Sequence, residues 1–275
     1  DTDTLTNFEN IRGDRSTSDV LIGDANDNKI RGLGGNDLID GGDGFDTADY
    51  SIDDSFDGFG GISVDVSGGS GTAIDGFGNT DTLLNIEKVI GTDQGDTITV
   101  GIAGISGTRA IAVGGAGDDT VSGGAGNDTL DGGDGSDTLN GGAGIDTIFG
   151  GADVDFIDGG AGDDILSGGA GADTFSFTTE GGADIITDIM AEDTIVFDGQ
   201  EFHAEDMIFS ENIDGNVEIA FSNVAGDAPT ATVTLDGVSL ADLDTDGDGS
   251  ITSADNSYSV SEDVDQVTVV INTDS

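Results

Sequence analysis

The chain has no cysteine and no tryptophan, one proline, one histidine, and six basic residues among 275. Without cysteine, neither disulfides nor thiolate metal sites can contribute. A single histidine, His203, removes the H-E-x-x-H zinc motif and any centre needing several imidazoles. No G-x-S-x-G elbow and no P-loop lysine occurs, so the chain is expected not to be an enzyme. No apolar run is long enough to span a bilayer, which argues against membrane insertion, and no N-terminal signal peptide is visible. The scarcity of cations is the strongest of these absences. Fifty-seven acidic residues face those six, for a formal net charge of −51, which excludes nucleic acid as a partner.

What the chain does have is glycine, 49 residues of it, in register with aspartate. From Gly114 to Ser176 the phrase G-G-x-G-x-D-x-U-x, with U apolar, repeats seven times without a gap. The copies open at Gly114, Gly123, Gly132, Gly141, Gly150, Gly159 and Gly168. Position six is Asp119, Asp128, Asp137, Asp146, Asp155, Asp164 and Asp173; position eight is Val121, Leu130, Leu139, Ile148, Ile157, Leu166 and Phe175. The glycine-rich first six positions read as loop and the last three as a short strand, outward, inward, outward. Two units then make one turn, and seven copies make roughly 17 Å of solenoid at ~4.8 Å per turn. Odd copies share one edge and even copies the other. Asp119, Asp137, Asp155 and Asp173 therefore form one column, and Asp128, Asp146 and Asp164 a second. Carboxylates and glycine carbonyls facing each other across neighbouring loops make an all-oxygen cage, which suits Ca²⁺ better than Mg²⁺. Such columns cannot stay ionised and close together unscreened, so metal binding is expected to supply the folding free energy.

These copies resemble RTX nonapeptides (repeats in toxin). The resemblance implies an all-β fold, a calcium-filled parallel β-roll with β-rich flanking and capping segments. It implies calcium ligation by the position-six aspartates and the seven opening glycines. Upstream, Gly32–Asp40 and Gly41–Asp49 fit the phrase, adding Asp37 and Asp46; Gly91–Thr99 adds Asp96 but lacks the paired glycines. Gly23–Arg31 departs with Asn28 at the ligand position, and Gly150–Asp158 with Asp153 in place of the fourth-position glycine. An acidic, cysteine-free chain of this kind is similar to substrates of type I secretion machinery, which implies a secreted, extracellular or cell-surface location.

Three regions follow: a first RTX segment over 1–113 with a lateral excursion at about 50–90, the main roll over 114–177, and a β-rich cap or secretion-linked region over 178–275. Residues 2–9 match 80–87, both leading into a further calcium-type turn. Ile62–Val66 alternates as a strand does. Residues 244–255 fit an EF-hand loop, with Asp244, Asp246, Asp248, the Ser250 carbonyl and Asp255 as ligands and Gly249 at the turn. The segment Asp265–Ile271 is equally compatible with a type I signal and with an edge strand. The count comes to about eight calcium ions, from the pairing of loops within each column.

The leading expectation is a non-catalytic, calcium-folded structural module of S-layer or adhesin type. Phe149 and Phe156 at outward strand positions leave room for self-assembly or a cell-surface partner. The alternative is the C-terminal module of an RTX exoenzyme whose catalytic domain lies elsewhere. Ice binding is a third class, since threonines stack at position seven, but Phe156 and Ile165 interrupt those ladders.

Overall fold

The computed structural model describes residues 2–4, 9–53, 60–68, 70–101, 109–178, 181–190, 192–198, 207–221, 231–239, 258–263 and 266–271. Among these there is no helix, and hence none long and apolar enough to cross a membrane. The first strands are β1 (Thr2–Thr4), β2 (Asn10–Arg12), β3 (Val20–Ile22), β4 (Lys29–Arg31), β5 (Leu38–Asp40) and β6 (Thr47–Asp49). Next come β7 (Ser63–Asp65), β8 (Ser70–Ile74), β9 (Thr80–Leu84), β10 (Lys88–Ile90) and β11 (Thr97–Thr99). The seven-copy stretch supplies β12 (Ile111–Ala116), β13 (Thr120–Ala125), β14 (Thr129–Asp134), β15 (Thr138–Ala143), β16 (Thr147–Ala152), β17 (Phe156–Ala161), β18 (Ile165–Ala170) and β19 (Thr174–Phe177). The remainder supplies β20 (Ala183–Ile186), β21 (Thr194–Asp198), β22 (Met207–Glu211), β23 (Val217–Phe221), β24 (Ala231–Leu235), β25 (Tyr258–Asp263) and β26 (Gln266–Ile271).

Strands alternate between two sheets. One runs β1-β3-β5-β9-β8-β7-β11-β13-β15-β17-β19-β21-β26-β25, the other β2-β4-β6-β10-β12-β14-β16-β18-β20-β24-β23-β22. Along the roll every ladder is parallel and pairs a residue with its counterpart eighteen positions on, as in Val121↔Leu139 and Leu130↔Ile148. The ladders pass without a break from the first segment into the seven copies, through β10–β12 and β11–β13. Each strand turns one apolar residue inward, so the interior is two facing files, Leu139 and Ile157 from one sheet and Ile148 and Leu166 from the other, all fully buried.

The glycine pair belongs to the strands, contrary to the reading that gave the first six positions of each copy to loop. Strands β12–β18 are six residues long and carry both glycines. The ladder skips the first glycine and resumes at the second, as in Val113↔Asp131 followed by Gly115↔Gly133. Gly115 has φ +127°, outside the range of ordinary side chains, so the chain bends there without leaving its hydrogen-bonded neighbour.

The excursion at 50–90 is a meander inside the first sheet. β9 pairs parallel with β5 and β7 parallel with β11, while β8 runs antiparallel between them. In the second sheet β6 pairs directly with β10. At the other end, β20 and β21 each continue a sheet in parallel, and then β26, β25, β23 and β22 switch to antiparallel pairing. β26 lies between β21 and β25, so Gln266–Ile271 is an interior strand rather than an edge.

The fourth-position residue tests how far this backbone is fixed. Gly144 has φ +138°, and a Cβ there would run into the Gly126 carbonyl oxygen; Asp153 occupies the same place with φ +74°. Gly144→Ala is expected to destabilise the folded roll by more than about 2 kcal/mol, and Asp153→Gly to stabilise it by about 0.5–1 kcal/mol, both read from denaturant midpoints at saturating calcium.

Candidate metal sites

The position-six aspartates sit where loop passes into strand, and each uses its two oxygens differently. Oδ1 accepts the backbone N–H of the position-six residue one turn back. Asp119 N donates to Asp137 Oδ1 at 2.8 Å, Asp137 N to Asp155 at 2.8 Å, and Asp155 N to Asp173 at 2.9 Å. On the other edge, Asp128 N donates to Asp146 at 2.7 Å and Asp146 N to Asp164 at 2.8 Å. The two columns expected from the period are therefore physical ladders.

Oδ2 is different. In Asp37, Asp46, Asp119, Asp128, Asp137, Asp146, Asp155, Asp164 and Asp173 it is buried and has no hydrogen-bond partner. It lies against the opening glycine of its own copy and, in Asp119, Asp128, Asp137, Asp146 and Asp155, against the opening carbonyl of the next copy in the column. A Cβ on Gly114 would collide with Asp119 Oδ2 and stand 2.6 Å from the Gly132 carbonyl oxygen. The same pairing sets Asp128 against the Gly141 carbonyl, Asp137 against Gly150, Asp146 against Gly159 and Asp155 against Gly168. The Gly114 and Gly123 carbonyls face the turn before them, at Gly91 and Gly101. Glycine is needed at the opening position because any side chain would fill the space between the two oxygens.

Among the described residues no three acidic or histidine side chains converge on one point, so a cage on either column is completed by backbone carbonyls. Carboxylate and carbonyl oxygens, with neither nitrogen nor sulfur, are the ligand set of a hard cation such as Ca²⁺. A buried carboxylate oxygen with no donor is costly unless a cation or proton meets it. The residues therefore fit the metal that the repeat implies.

Asp96 stands apart. Thr92 occupies the place of the second glycine; its N–H donates to Asp96 Oδ2 at 2.6 Å and its hydroxyl to Oδ1 at 3.0 Å, while Ile62 N donates to Oδ1 at 2.7 Å. The protein's own donors thus serve both oxygens. Residues 244–255, with Asp244, Asp246, Asp248, Ser250 and Asp255, lie outside the described residues, as does His203.

Several column members do not follow the nonapeptide spacing. Asp37 N donates to Asp81 Oδ1 forty-four residues on, and Asp46 N to Glu87 Oε2 forty-one residues on. Asp164 N and Asp173 N donate to Asp184 and Asp193, each twenty residues on. The available signal was the triplet Asp-x-apolar, present as Asp81-Thr82-Leu83, Asp184-Ile185-Ile186 and Asp193-Thr194-Ile195. Asp81 Oδ2 also accepts the buried Tyr50 hydroxyl at 3.2 Å.

Burial, reinforced by neighbouring carboxylates, raises these groups. Asp119, Asp155 and Asp164 reach about 7, and Asp37, Asp46, Asp137 and Asp146 about 6. Each folded value exceeds the ordinary 3.8, so the metal-free roll binds more protons than the unfolded chain between about pH 4 and 7. Its stability is therefore greatest at the acid end of that window and is lost as pH rises to 7. In chelator, circular dichroism should show β structure gained on acidification from pH 8 to about 5. With metal present the sign reverses, because protons compete for the same oxygens. The calcium midpoint should climb as pH falls below about 7.

Asp137→Ala removes both the acceptor for Asp119 N–H and the orphan oxygen, and should weaken folding by about 2–3 kcal/mol at fixed calcium. Asp137→Asn keeps the acceptor and should shift the calcium midpoint upward with a smaller loss. Calcium titrations of the two variants against Asp40→Asn, whose carboxyl lies outside the columns, check the difference.

The model of the RTX calcium-binding nonapeptide repeat matches residues 15–48, 113–148 and 140–175. No curated protein matches the chain. Among solved structures, the extracellular lipase of Serratia marcescens is 20% identical, covering 84% of this chain and 38% of the lipase, with a TM-score of 0.28. This chain thus spans well under half of that protein's length. A subunit of the mannuronan C5-epimerase of Azotobacter vinelandii, solved in solution, is 26% identical over 58% of this chain and 84% of the subunit, with a TM-score of 0.25. Residues 15–48 and 113–175 are RTX calcium-binding nonapeptide repeats, wound into a parallel β-roll.

Proposed function

We propose that this chain is a non-catalytic structural module, folded by calcium, of a secreted or cell-surface protein of S-layer or adhesin type. The observation that carries the reading is the set of nine buried Oδ2 atoms without partners, ranged along two columns on a chain of net charge −51. Metal is then a condition of the fold. At the low free calcium of a cytosol the columns repel and the chain stays open; at millimolar calcium outside a cell they close. That asymmetry suits export of an unfolded chain through type I secretion machinery. The acids of the roll alternate with carbonyls along a column, an arrangement for holding cations rather than for moving protons. Pairing neighbouring loops, with the loop at 244–255 added, gives about eight ions.

Assembly on a surface is the finer part of the proposal. Phe149 and Phe156 are 44% and 42% exposed on opposite sheets, and Ile165 and Ile185 are register partners on the face that carries Phe149.

Calcium titration followed by circular dichroism and light scattering tests both parts. A β signal that appears with calcium, disappears with chelator and is not produced by equimolar Mg²⁺ is expected. Growth into large particles, reduced in Phe149→Ser/Phe156→Ser, supports the surface-assembly reading. A compact monomer at every concentration removes it, and a calcium-independent fold removes the proposal as a whole.

A further inference from the structure

Position nine of each copy is the residue just ahead of the next opening glycine. In the seven copies it is Ser122, Asp131, Asn140, Phe149, Asp158, Ser167 and Ser176. Asn140 is therefore followed by Gly141, and this is the one Asn-Gly pair in the 275 residues. Glycine puts no side chain in the way of its own amide nitrogen, so in an open chain that nitrogen can swing onto the asparagine side-chain carbonyl. Every other asparagine of the chain is followed by a residue with a Cβ, which hinders the same approach.

The folded roll holds the two groups apart. In β15, Thr138 and Asn140 are exposed while Leu139 and Gly141 are buried. The Asn140 side chain stands off the sheet, its Nδ2 donating to Asp158 Oδ2 at 3.5 Å, whereas the next N–H lies in the plane of the sheet. Opening amides elsewhere donate to the register partner of the residue before them: Gly23 to Asp40 at 2.7 Å, Gly91 to Val113 at 2.8 Å. The register Asn140↔Asp158 puts Gly141 in the same place, and a nitrogen held in that ladder is not free to attack. Gly141 also borders a candidate metal cage. A Cβ on it would stand 2.5 Å from Asp146 Oδ2 and 2.5 Å from the Gly159 carbonyl oxygen.

We propose that Asn140–Gly141 is a self-modification site, reactive while the chain is open and shut by the folded roll. The Gly141 nitrogen bonds to Asn140 Cγ, its proton departs with the side-chain nitrogen as ammonia, and a five-membered succinimide closes. Water then opens the ring. Cleavage at the side-chain carbonyl leaves aspartate; cleavage at the main-chain carbonyl leaves isoaspartate, whose backbone runs through the former side chain. Water is the only co-reactant, and nothing is oxidised or reduced. Both products meet the fold badly. Aspartate at 140 sets a carboxylate opposite Asp158, whose own pKa is pushed up by burial and by Asp198, in place of an amide that donates to it. Isoaspartate adds one atom to the main chain just ahead of Gly141, which shifts that glycine from its seat between Asp146 Oδ2 and the Gly159 carbonyl. Time spent open is thereby recorded irreversibly between the third copy and the fourth. Asp131–Gly132 and Asp158–Gly159 are the same joint in carboxylate form, and an ionised carboxylate is the poorer electrophile, so they lag behind Asn140.

The inference rests on the calcium-dependent folding proposed above, and one experiment reads the two separately. The full chain is incubated at neutral pH in chelator and at saturating calcium. Circular dichroism reports the fold, peptide mass spectrometry the conversion of Asn140 from amide to acid, and isoaspartyl methyltransferase labelling the isoaspartate. Conversion is expected to be about tenfold faster or more in chelator. Returned to calcium, the aged chain should fold at a raised calcium midpoint. Asn140→Ser, which takes the residue that copies one, six and seven carry at this position, should age without that shift. Asn140→Asp carries the charge without the extra backbone atom and should raise the midpoint less than isoaspartate does. If β structure persists in chelator, the folding reading fails, and urea-opened against folded chain then carries the comparison at Asn140. Three results overturn the inference: an open chain that leaves Asn140 intact, equal conversion in open and folded chain, or an aged chain whose calcium midpoint equals that of aged Asn140→Ser.

Discussion

Everything in this molecule turns on carboxylates placed where the protein offers them too little. In the seven copies each position-six aspartate is buried and receives one backbone N–H on Oδ1, while Oδ2 has no hydrogen-bond partner. One such atom costs a protein several kcal/mol when it stays charged and unpaired; nine, stacked in two files, are incompatible with a folded chain at neutral pH unless cations join them. The glycines and the short strands are consistent with that requirement. Any lysine reaching a column would fill the place of a metal ion.

The hydrophobic contribution along the roll is small. Each nonapeptide buries one apolar side chain, so each sheet of the roll contributes a file one residue wide, a thinner interior than that of a sandwich whose strands each bury several. The cap is built otherwise. There Phe177 and Phe197 pack with ring centroids 5.6 Å apart, and Ile186, Ile195, Val217, Ile219, Val233, Leu235 and Val269 gather around the turn from parallel to antiparallel pairing. The chain therefore joins two kinds of stability, ionic along the roll and apolar at its end.

The sequence displayed the roll with unusual clarity, because an eighteen-residue period leaves one way to stack Asp119 on Asp137 and Asp128 on Asp146. It was less clear wherever spacing slipped. Asp81 and Glu87 join the columns after forty-four and forty-one residues, with the meander of β7, β8 and β9 absorbing much of the difference, and no periodic reading finds them. Alternation at Ile62–Val66 marked a strand but not its antiparallel neighbour, since pairing partners leave no local trace. The paired glycines were read as loop because freedom of φ usually means a turn. Here the same freedom lets a strand bend while remaining in its ladder, as at Gly115. The ligand role of Asp96 depended on a neighbour, Thr92, whose N–H takes the oxygen that a glycine in its place leaves open.

The hydrogen bond from each position-six N–H has one further consequence, because it always points the same way. Asp119 is completed by Asp137, Asp137 by Asp155, Asp155 by Asp173, and Asp173 by Asp193 of the cap; the second file ends likewise, Asp164 on Asp184. For this amide a turn is finished by the turn after it, never by the one before. The ladder is thus polar, and only its C-terminal end is supplied with acceptors from outside the repeat. A roll of this kind has a template end and a growing end: order laid down at the cap can spread backwards along the chain, while an N-terminal fragment keeps a final turn whose amide has no acceptor to receive it.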